Sequence, residues 1–275
     1  GFGKRLTWPD DWFVLYTELS YQLYRLRNWQ YFLMQNGESH NLSLRVNLSR
    51  NSLDAPIYTR SGSNFSLGVA LTPPYSAFSN YNWKGETEDQ KLYKVIEYHK
   101  WKFTGKVFTP LTRDSKLVLM TRAEFGYLGH YNKDAKSPFE SFYMGGDGMS
   151  SYSSYSTDYV SMRGYQSGSL TPYDPQTGRN MGYVYDKFTM ELRYPISLEQ
   201  NATIWVLGFL EAGNCFADIK DFNPFNLKRS AGVGVRIFLP MFGLMGIDWG
   251  WGFDEINGNK QYGGSQFHFV LGQEL

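Results

Sequence analysis

The stretch SAGVGVRIFLPMFGLMGIDWGWGFD, Ser230–Asp254, holds two segments in which apolar side chains recur at every second residue. The alternation in the first segment separates two faces, with Val233, Val235 and Ile237 on one and Gly232, Gly234 and Arg236 on the other. Successive side chains of a β-strand point to opposite faces of a sheet, so the pattern predicts two strands that each have an apolar and a polar face. The residues that join them, FLPMFG, form a connection as short as the periplasmic turns of a barrel.

The same alternation recurs along most of the chain and predicts about ten strands. The predicted segments cover residues 13–24, 42–49, 65–72, 94–109, 116–129, 185–196, 202–213, 230–239, 244–253 and 266–272. Several reach the roughly 9–11 residues that a tilted strand needs to cross a bilayer, whereas strands of soluble proteins average about 5–6 residues. Aromatic residues such as Trp8, Trp12 and Trp29 gather at strand ends, as in the girdles of membrane barrels. We therefore predict an all-β fold, an antiparallel transmembrane β-barrel; the alternative is a large soluble β-sandwich with an aromatic core.

The composition excludes several classes of protein. Among 275 residues, 27 basic and 26 acidic side chains give a net charge of +1, which offers no argument for a nucleic-acid partner. A single cysteine rules out an internal disulfide framework, and the four histidines lack the spacing of metal ligands, so we predict no metal and no cofactor. The mean hydropathy of −0.43 suits a soluble domain, but barrel strands that alternate apolar and polar residues give such values too. No run of 18 apolar residues exists, which excludes a spanning α-helix.

The connections between predicted strands alternate between short and long. Residues 110–115 and 238–243 are short, whereas residues 80–91, 131–183 and 253–264 are long, as the surface loops of a barrel are. We predict that residues 131–183 form the largest extracellular loop.

Three acidic side chains lie on the polar faces of strands in the C-terminal half: Glu191, Glu211 and Asp248. A buried carboxylate needs a cationic partner, and Arg163, in the loop sequence VSMRGYQSG, is a candidate for pairing with Glu211 or Glu191. The alternative is that these acids line a water-filled pore. An outer-membrane hydrolase that used His130 with the carboxylates has weaker support, because no local motif positions a nucleophile, a base and an orienting group.

Several motifs resemble the C-terminal barrel of the BamA family, outer-membrane factors that fold and insert other β-barrel proteins. In chain order they are APIYTRSGSNFSLGVAL, FESFYMGGDG, MRGYQ, MELRYPI, GFLEAGN, the opening stretch and QFHFVLGQEL. The resemblance implies a sixteen-stranded barrel preceded by POTRA domains, and residues 1–275 look like its strands seven to sixteen without the POTRA domains. An open sheet of ten strands would leave two unpaired edges in lipid, so the functional protein is expected to contain more than this stretch.

The resemblance assigns roles to five residues inside the predicted barrel. Arg163, Gly164 and Tyr165 match the motif at the tip of the sixth extracellular loop, which folds back into the lumen of the barrel. Glu191 and Glu211 match the inner-wall carboxylates that the arginine contacts in the family. Two features depart from the family pattern: relatives often have Phe in place of Tyr165, and a long Ser/Tyr-rich insertion separates GGDG from MRGY.

The resemblance also implies a lateral seam and a non-enzymatic function. Gly272 matches a glycine that kinks the last strand beside a seam that opens sideways, where backbone groups could pair with an incoming strand. The implied partners are nascent outer-membrane β-barrel proteins, accessory outer-membrane lipoproteins, periplasmic chaperones and outer-membrane lipids, without ATP. The implied location is the outer membrane. Alternatives are a TamA-like translocator, a two-partner-secretion translocator and a passive porin.

Overall fold

The computed structural model describes the chain apart from residues 31, 80–82, 85, 87, 149–157, 176–177, 200, 257, 260–261 and 273–275. Its strands are β1 (Phe2–Arg5), β2 (Phe13–Leu26), β3 (Gly37–Asn51), β4 (Gly62–Leu71), β5 (His99–Pro110), β6 (Val118–Gly129), β7 (Phe142–Met144), β8 (Asp158–Val160), β9 (Tyr173–Asp174), β10 (Arg179–Asn180), β11 (Val184–Glu199), β12 (Ala202–Phe216), β13 (Lys228–Leu239), β14 (Gly243–Gly252) and β15 (Gly264–Leu271). Among the described residues the helical turns are short, namely α1 (Asp89–Leu92) and the 3₁₀ turns Tyr75–Phe78 and Ile219–Asp221. Within the described ranges, no helix is long and apolar enough to cross a membrane.

Eleven strands form one antiparallel sheet in the order β1-β2-β3-β4-β5-β6-β11-β12-β13-β14-β15. The remaining strands, β7 to β10, form two small sheets within the connection between β6 and β11. The prediction of an all-β antiparallel fold is therefore confirmed. The prediction of about ten strands missed β1, which has only four residues and is too short to show an alternating pattern. It also missed β7 to β10, strands of two or three residues within the segment that was predicted to be a loop.

The two faces of the large sheet differ in polarity as the alternation predicted. In β13, Val233 and Val235 are 57% and 41% exposed, whereas Arg236, the residue that follows Val235, is 2% exposed. The outward face of other strands is also apolar, with exposed side chains at Leu19, Tyr21, Met190, Leu192, Leu210, Ile247, Trp249, Phe267 and Phe269. Such a surface is unfavourable in water and is typical of a sheet that faces lipid.

The longest connections of the large sheet lie at one of its two ends. One end carries residues 27–36, 72–98, 130–183, 217–227 and 253–263, and the other carries residues 6–12, 52–61, 111–117, 200–201 and 240–242. The three connections predicted to be long lie at the first end and the two predicted to be short lie at the second, although residues 27–36 and 52–61, one connection at each end, both number ten. The first end is called the long-loop end below, and the second the short-turn end.

Apolar side chains on the inner side of the sheet form two clusters. The larger cluster includes Phe139, Phe142, Met144 and Met162 from the connection between β6 and β11. The smaller cluster joins Tyr58 of the β3–β4 connection to inner-wall residues of β5, β6, β12 and β14. Both connections therefore fold into the space that the curved sheet encloses.

Candidate functional site

The described residues of the range 130–183, called the plug segment below, are anchored to the inner wall of the sheet. The Lys100 ammonium of β5 lies 3.2 Å from the Glu140 carboxylate and 2.7 Å from the Asp158 carboxylate of the plug segment. Arg179 donates a hydrogen bond of 3.0 Å to the carbonyl of Gln30 at the long-loop end. Of the Ser/Tyr-rich insertion noted in the sequence, residues 149–157 lie outside the described residues.

Arg163 lies at the inner tip of the plug segment and contacts three carboxylates. Its Nη2 lies 2.6 Å from Glu191 Oε1 and 2.8 Å from Glu211 Oε1, and its Nη1 lies 3.3 Å from Asp248 Oδ2. The backbone N–H of Arg163 also donates to Glu211 Oε2 at 2.8 Å. The guanidinium carbon lies 3.7 Å from the ring centroid of Phe209, a stacked cation–π contact. The structure thus brings Arg163 together with both carboxylates predicted to pair with it and with Asp248, the third acidic side chain that the sequence placed on a polar face.

Every carboxylate around Arg163 has a further cation of its own. The pairs are Arg193 with Glu191 at 2.6 Å, Lys187 with Glu211 at 3.3 Å, and Arg236 with Asp248 at 2.6 Å. All six of these residues are at most 5% exposed. Ion pairs buried to this degree hold together only when each charge has partners, because removal from water is costly for every ion. These charges, called the Arg163 network below, dock the plug segment in one geometry.

Gly164 and Tyr165 complete the contact between the tip and the wall. Gly164 has a φ of +85°, and a Cβ there would lie 2.8 Å from the Gly252 backbone nitrogen. Only glycine therefore suits this position. The Gly164 N–H donates to His268 Nε2 at 2.8 Å, and the buried Tyr165 hydroxyl donates to the Arg229 carbonyl at 2.7 Å. The tip therefore binds all five strands from β11 to β15.

Several residues of the site were not assigned from the sequence. They are Lys187, Arg193, Phe209, Arg236 and His268. The alternation carried a signal for all of them, since each lies at an inward-facing position of its strand. What the alternation does not specify is which inward residues of different strands lie at the same depth.

Tyr58 marks a second inward-folded connection, which the sequence analysis did not identify. Its hydroxyl donates to the Lys116 carbonyl at 2.8 Å and lies 3.3 Å from the Arg193 carbonyl. Its ring packs edge-on against the Trp205 indole, with 5.7 Å between ring centroids. Residues 52–61 therefore reach across the enclosed space near the short-turn end, while the plug segment fills it from the long-loop end.

Gly272 and His130 lie outside the Arg163 network. Gly272 directly follows β15 with a φ of +92°, and its N–H donates to the Leu244 carbonyl at 2.8 Å; its role as a kink at a seam stays a prediction. Burial, with the nearby Lys136 ammonium, lowers the pKa of His130 to about 3. Its ring packs on Tyr183, and among the described residues neither ring nitrogen has a hydrogen-bond partner. The structure does not place His130 with the carboxylates, as the hydrolase alternative requires.

The family model that matches this chain is the Omp85 superfamily domain, over residues 14–275. The chain belongs to the Omp85 superfamily. It is similar to the outer membrane protein assembly factor BamA of Nitratidesulfovibrio vulgaris, with 29% identity over 136 residues. That match covers 49% of this chain and 15% of the relative.

The fold of this Omp85 chain is also similar to a solved structure. The crystal structure of BamA from Haemophilus ducreyi lacking POTRA domains 1–3 superposes with a TM-score of 0.62 at 17% sequence identity. The match covers 95% of this chain and 51% of that chain, so this chain spans about half of the solved one. The resemblance to the BamA family that the motifs predicted is thus confirmed, and at this identity the structural match concerns the fold alone.

Proposed function

We propose that this chain is the C-terminal part of the barrel of an outer-membrane assembly factor, which folds and inserts β-barrel proteins through a lateral seam beside β15. The Arg163 network is the observation that carries the proposal. It fixes a long connection inside the sheet through buried charges from four strands, β11 to β14, at a free-energy cost that a passive pore does not require.

The filled interior argues for pairing at the strand edge instead of transport through the lumen. The plug segment occupies the inner side at the long-loop end, and the Tyr58 connection occupies it near the short-turn end. In the part of the chain that the structure describes, β15 is the last strand of the sheet and has one paired neighbour, β14. An edge strand offers backbone N–H and C=O groups that an extended segment of another chain can bind.

The mechanism needs no covalent chemistry, and we propose that the protein is not an enzyme. Backbone hydrogen bonds to the edge of β15 would template the first strand of an incoming barrel protein. The apolar outer face beside that edge would present the client to lipid. The proposed location is the outer membrane. The proposed partners are nascent β-barrel proteins, accessory lipoproteins, periplasmic chaperones and outer-membrane lipids, with POTRA domains upstream in the same protein.

The proposal is tested by reconstitution of the full-length protein in phospholipid vesicles. A urea-unfolded barrel client is added, and its folding is followed by the heat-dependent shift of folded barrels on a gel. We expect faster client folding with the wild type, a loss of that acceleration with Arg163→Met, and no loss with Arg113→Met in the exposed β5–β6 turn. Steady ion conductance across the same vesicles, without any effect on client folding, would overturn the proposal in favour of a porin.

A further inference from the structure

The Tyr58 connection, residues 52–61, is held in one shape by hydrogen bonds of its own. Asp54 Oδ1 accepts from the backbone N–H groups of Arg60 and Ser61 at 3.0 and 3.2 Å. Bonds of this kind between an aspartate side chain and the backbone a few residues on stabilise turns. The connection therefore presents the buried Tyr58 ring to the inner wall as part of an ordered unit.

Two charged side chains of β11 link this unit to the Arg163 network. The Tyr58 hydroxyl lies 3.3 Å from the Arg193 carbonyl. The Arg193 guanidinium in turn donates to Oε2 of Glu191, from Nε at 2.9 Å and from Nη2 at 2.6 Å. The other oxygen of Glu191, Oε1, lies 2.6 Å from Arg163 Nη2. Glu191 is thus held between two guanidinium groups, one at the plug tip and one on the residue that Tyr58 contacts.

Three inward side chains of β12 form a second, apolar link. Trp205, Leu207 and Phe209 follow one another at every second residue, and each is at most 3% exposed. At one end of this row, the Trp205 indole packs edge-on against the Tyr58 ring. At the other end, the Phe209 ring lies 3.7 Å from the guanidinium carbon of Arg163. Protein interiors are packed densely enough to transmit strain, so displacement of the ring at one end is felt at the other.

Both links lie in the interior of the sheet. The strands that carry them, β11 and β12, are each paired on both sides, and so are β3 and β4, which the Tyr58 connection joins. The contacts therefore do not involve the edges of the sheet at β1 and β15.

We propose that docking of the Tyr58 connection and docking of the plug tip are energetically coupled, with Arg193 and Phe209 as the positioning residues between them. Each of the two elements can be docked or open, and contacts that both elements share bias both equilibria. Loss of the Tyr58 side chain would loosen Arg193 and Phe209, and with them the surfaces that hold Arg163. The coupling goes beyond the proposed function, because it links the two ends of the interior whether or not the protein inserts clients.

The coupling gives the short-turn end a means of releasing the plug segment. An extended polypeptide that entered the interior there and displaced the Tyr58 ring would weaken the hold on Arg163. This consequence rests on the proposed function, which supplies the polypeptide, whereas the coupling itself does not.

Hydrogen exchange of the Met162 amide in the full-length protein measures the coupling. This amide donates to the Gly146 carbonyl at 2.9 Å, so its exchange reports opening of the plug segment. We expect Tyr58→Ala to speed the exchange by about fivefold or more, the low end of couplings between two sites. Tyr58→Phe, which keeps the ring, should give a smaller rise, and Phe242→Ala, which removes an exposed ring from the turn between β13 and β14, should give none. An exchange rate of Met162 that is unchanged in both Tyr58 variants would overturn the coupling.

A double-variant cycle separates the coupling from a general loosening of the barrel. Arg163→Met already removes the contacts of the tip with Glu191 and Phe209, so addition of Tyr58→Ala to it should leave Met162 exchange nearly unchanged. Phe209→Leu should likewise remove most of the effect of Tyr58→Ala. Independent changes would instead multiply their effects on the exchange rate, and that result would overturn the coupling. Because client folding is not the readout, it would leave the proposed function standing.

Discussion

Replacing Arg163 by Met tests the physical basis of the docked plug segment. Met has a similar length but no charge, so Glu191, Glu211 and Asp248 each lose one cation while keeping another. Breaking a buried pair by removing one partner costs about 3–5 kcal/mol. The remaining cations favour the low end of that range, so we expect a cost of about 3 kcal/mol. At 1.4 kcal/mol per factor of ten, the open form of the plug segment should become about a hundredfold more populated.

Hydrogen exchange and limited proteolysis of the plug segment measure that population, because both report local opening. Amides of Gly146 and Met162 should exchange about a hundredfold faster in Arg163→Met, while amides of β12 and β13 should change little. Arg113→Met is the matched control on the exposed turn. The double variant with Glu211→Gln should recover part of the loss, since it removes a carboxylate left with one cation fewer. An increase of less than tenfold in these exchange rates would refute the account of a coupled charge network. So would a double variant whose loss of docking free energy equals the sum of the losses in the two single variants.

Three further predictions concern separate parts of the interior. Gly164→Ala should undock the tip, because the φ of +85° at Gly164 and the 2.8 Å from a Cβ there to the Gly252 nitrogen leave no room for an alanine side chain. Faster proteolysis of the plug segment would show the undocking. A plug segment that resists proteolysis as well as in the wild type would contradict the steric argument. Tyr58→Phe should lower the free energy of unfolding, measured by urea unfolding, by about 1 kcal/mol, the value of one hydrogen bond. An unchanged free energy of unfolding would mean that water satisfies the hydroxyl equally well. The pKa of His130 is lowered to about 3 from 6.5 by burial. The unfolded chain therefore binds a proton that the folded one does not, and stability should fall as the pH drops below about 6.5. His130→Phe should flatten this slope in unfolding midpoints measured against pH, and an equal slope in both proteins would contradict it.

The sheet was predictable from local sequence, and the limits of that prediction are physical. Alternation identified every strand of the large sheet long enough to show a period, but not β1, whose four residues span too few repeats. Residues 94–98 were assigned to a strand that begins only at His99. Ile96 and Tyr98 instead turn into the apolar cluster beneath the long loops. Apolar residues packed under loops and apolar residues on a strand look alike in a short window of sequence.

The site was predictable in part because its charges lie on an alternating pattern. Inward positions could be read for Glu191 and Glu211, and a loop arginine beside glycine indicated a cation that enters the interior. The Tyr58 contact could not be found in this way, since its hydroxyl meets the Arg193 carbonyl 135 residues later in the chain. Nothing local distinguishes that turn from a solvent-exposed one, because its partners are set by the closure of the sheet.

Apolar side chains at the tip would cost less free energy to bury than charged ones. The tip carries charges because it must recognise one position on the inner wall. An apolar tip would pack against many positions of an inner wall, whereas Arg163 needs carboxylates from three strands at one depth. A slip of one residue between β11 and β12 would turn Glu211 to the outer face and bring Leu210 or Ala212 inside. The plug segment would then lose its charge partners and would not dock. Docking of the plug segment is therefore conditional on the correct register of the sheet.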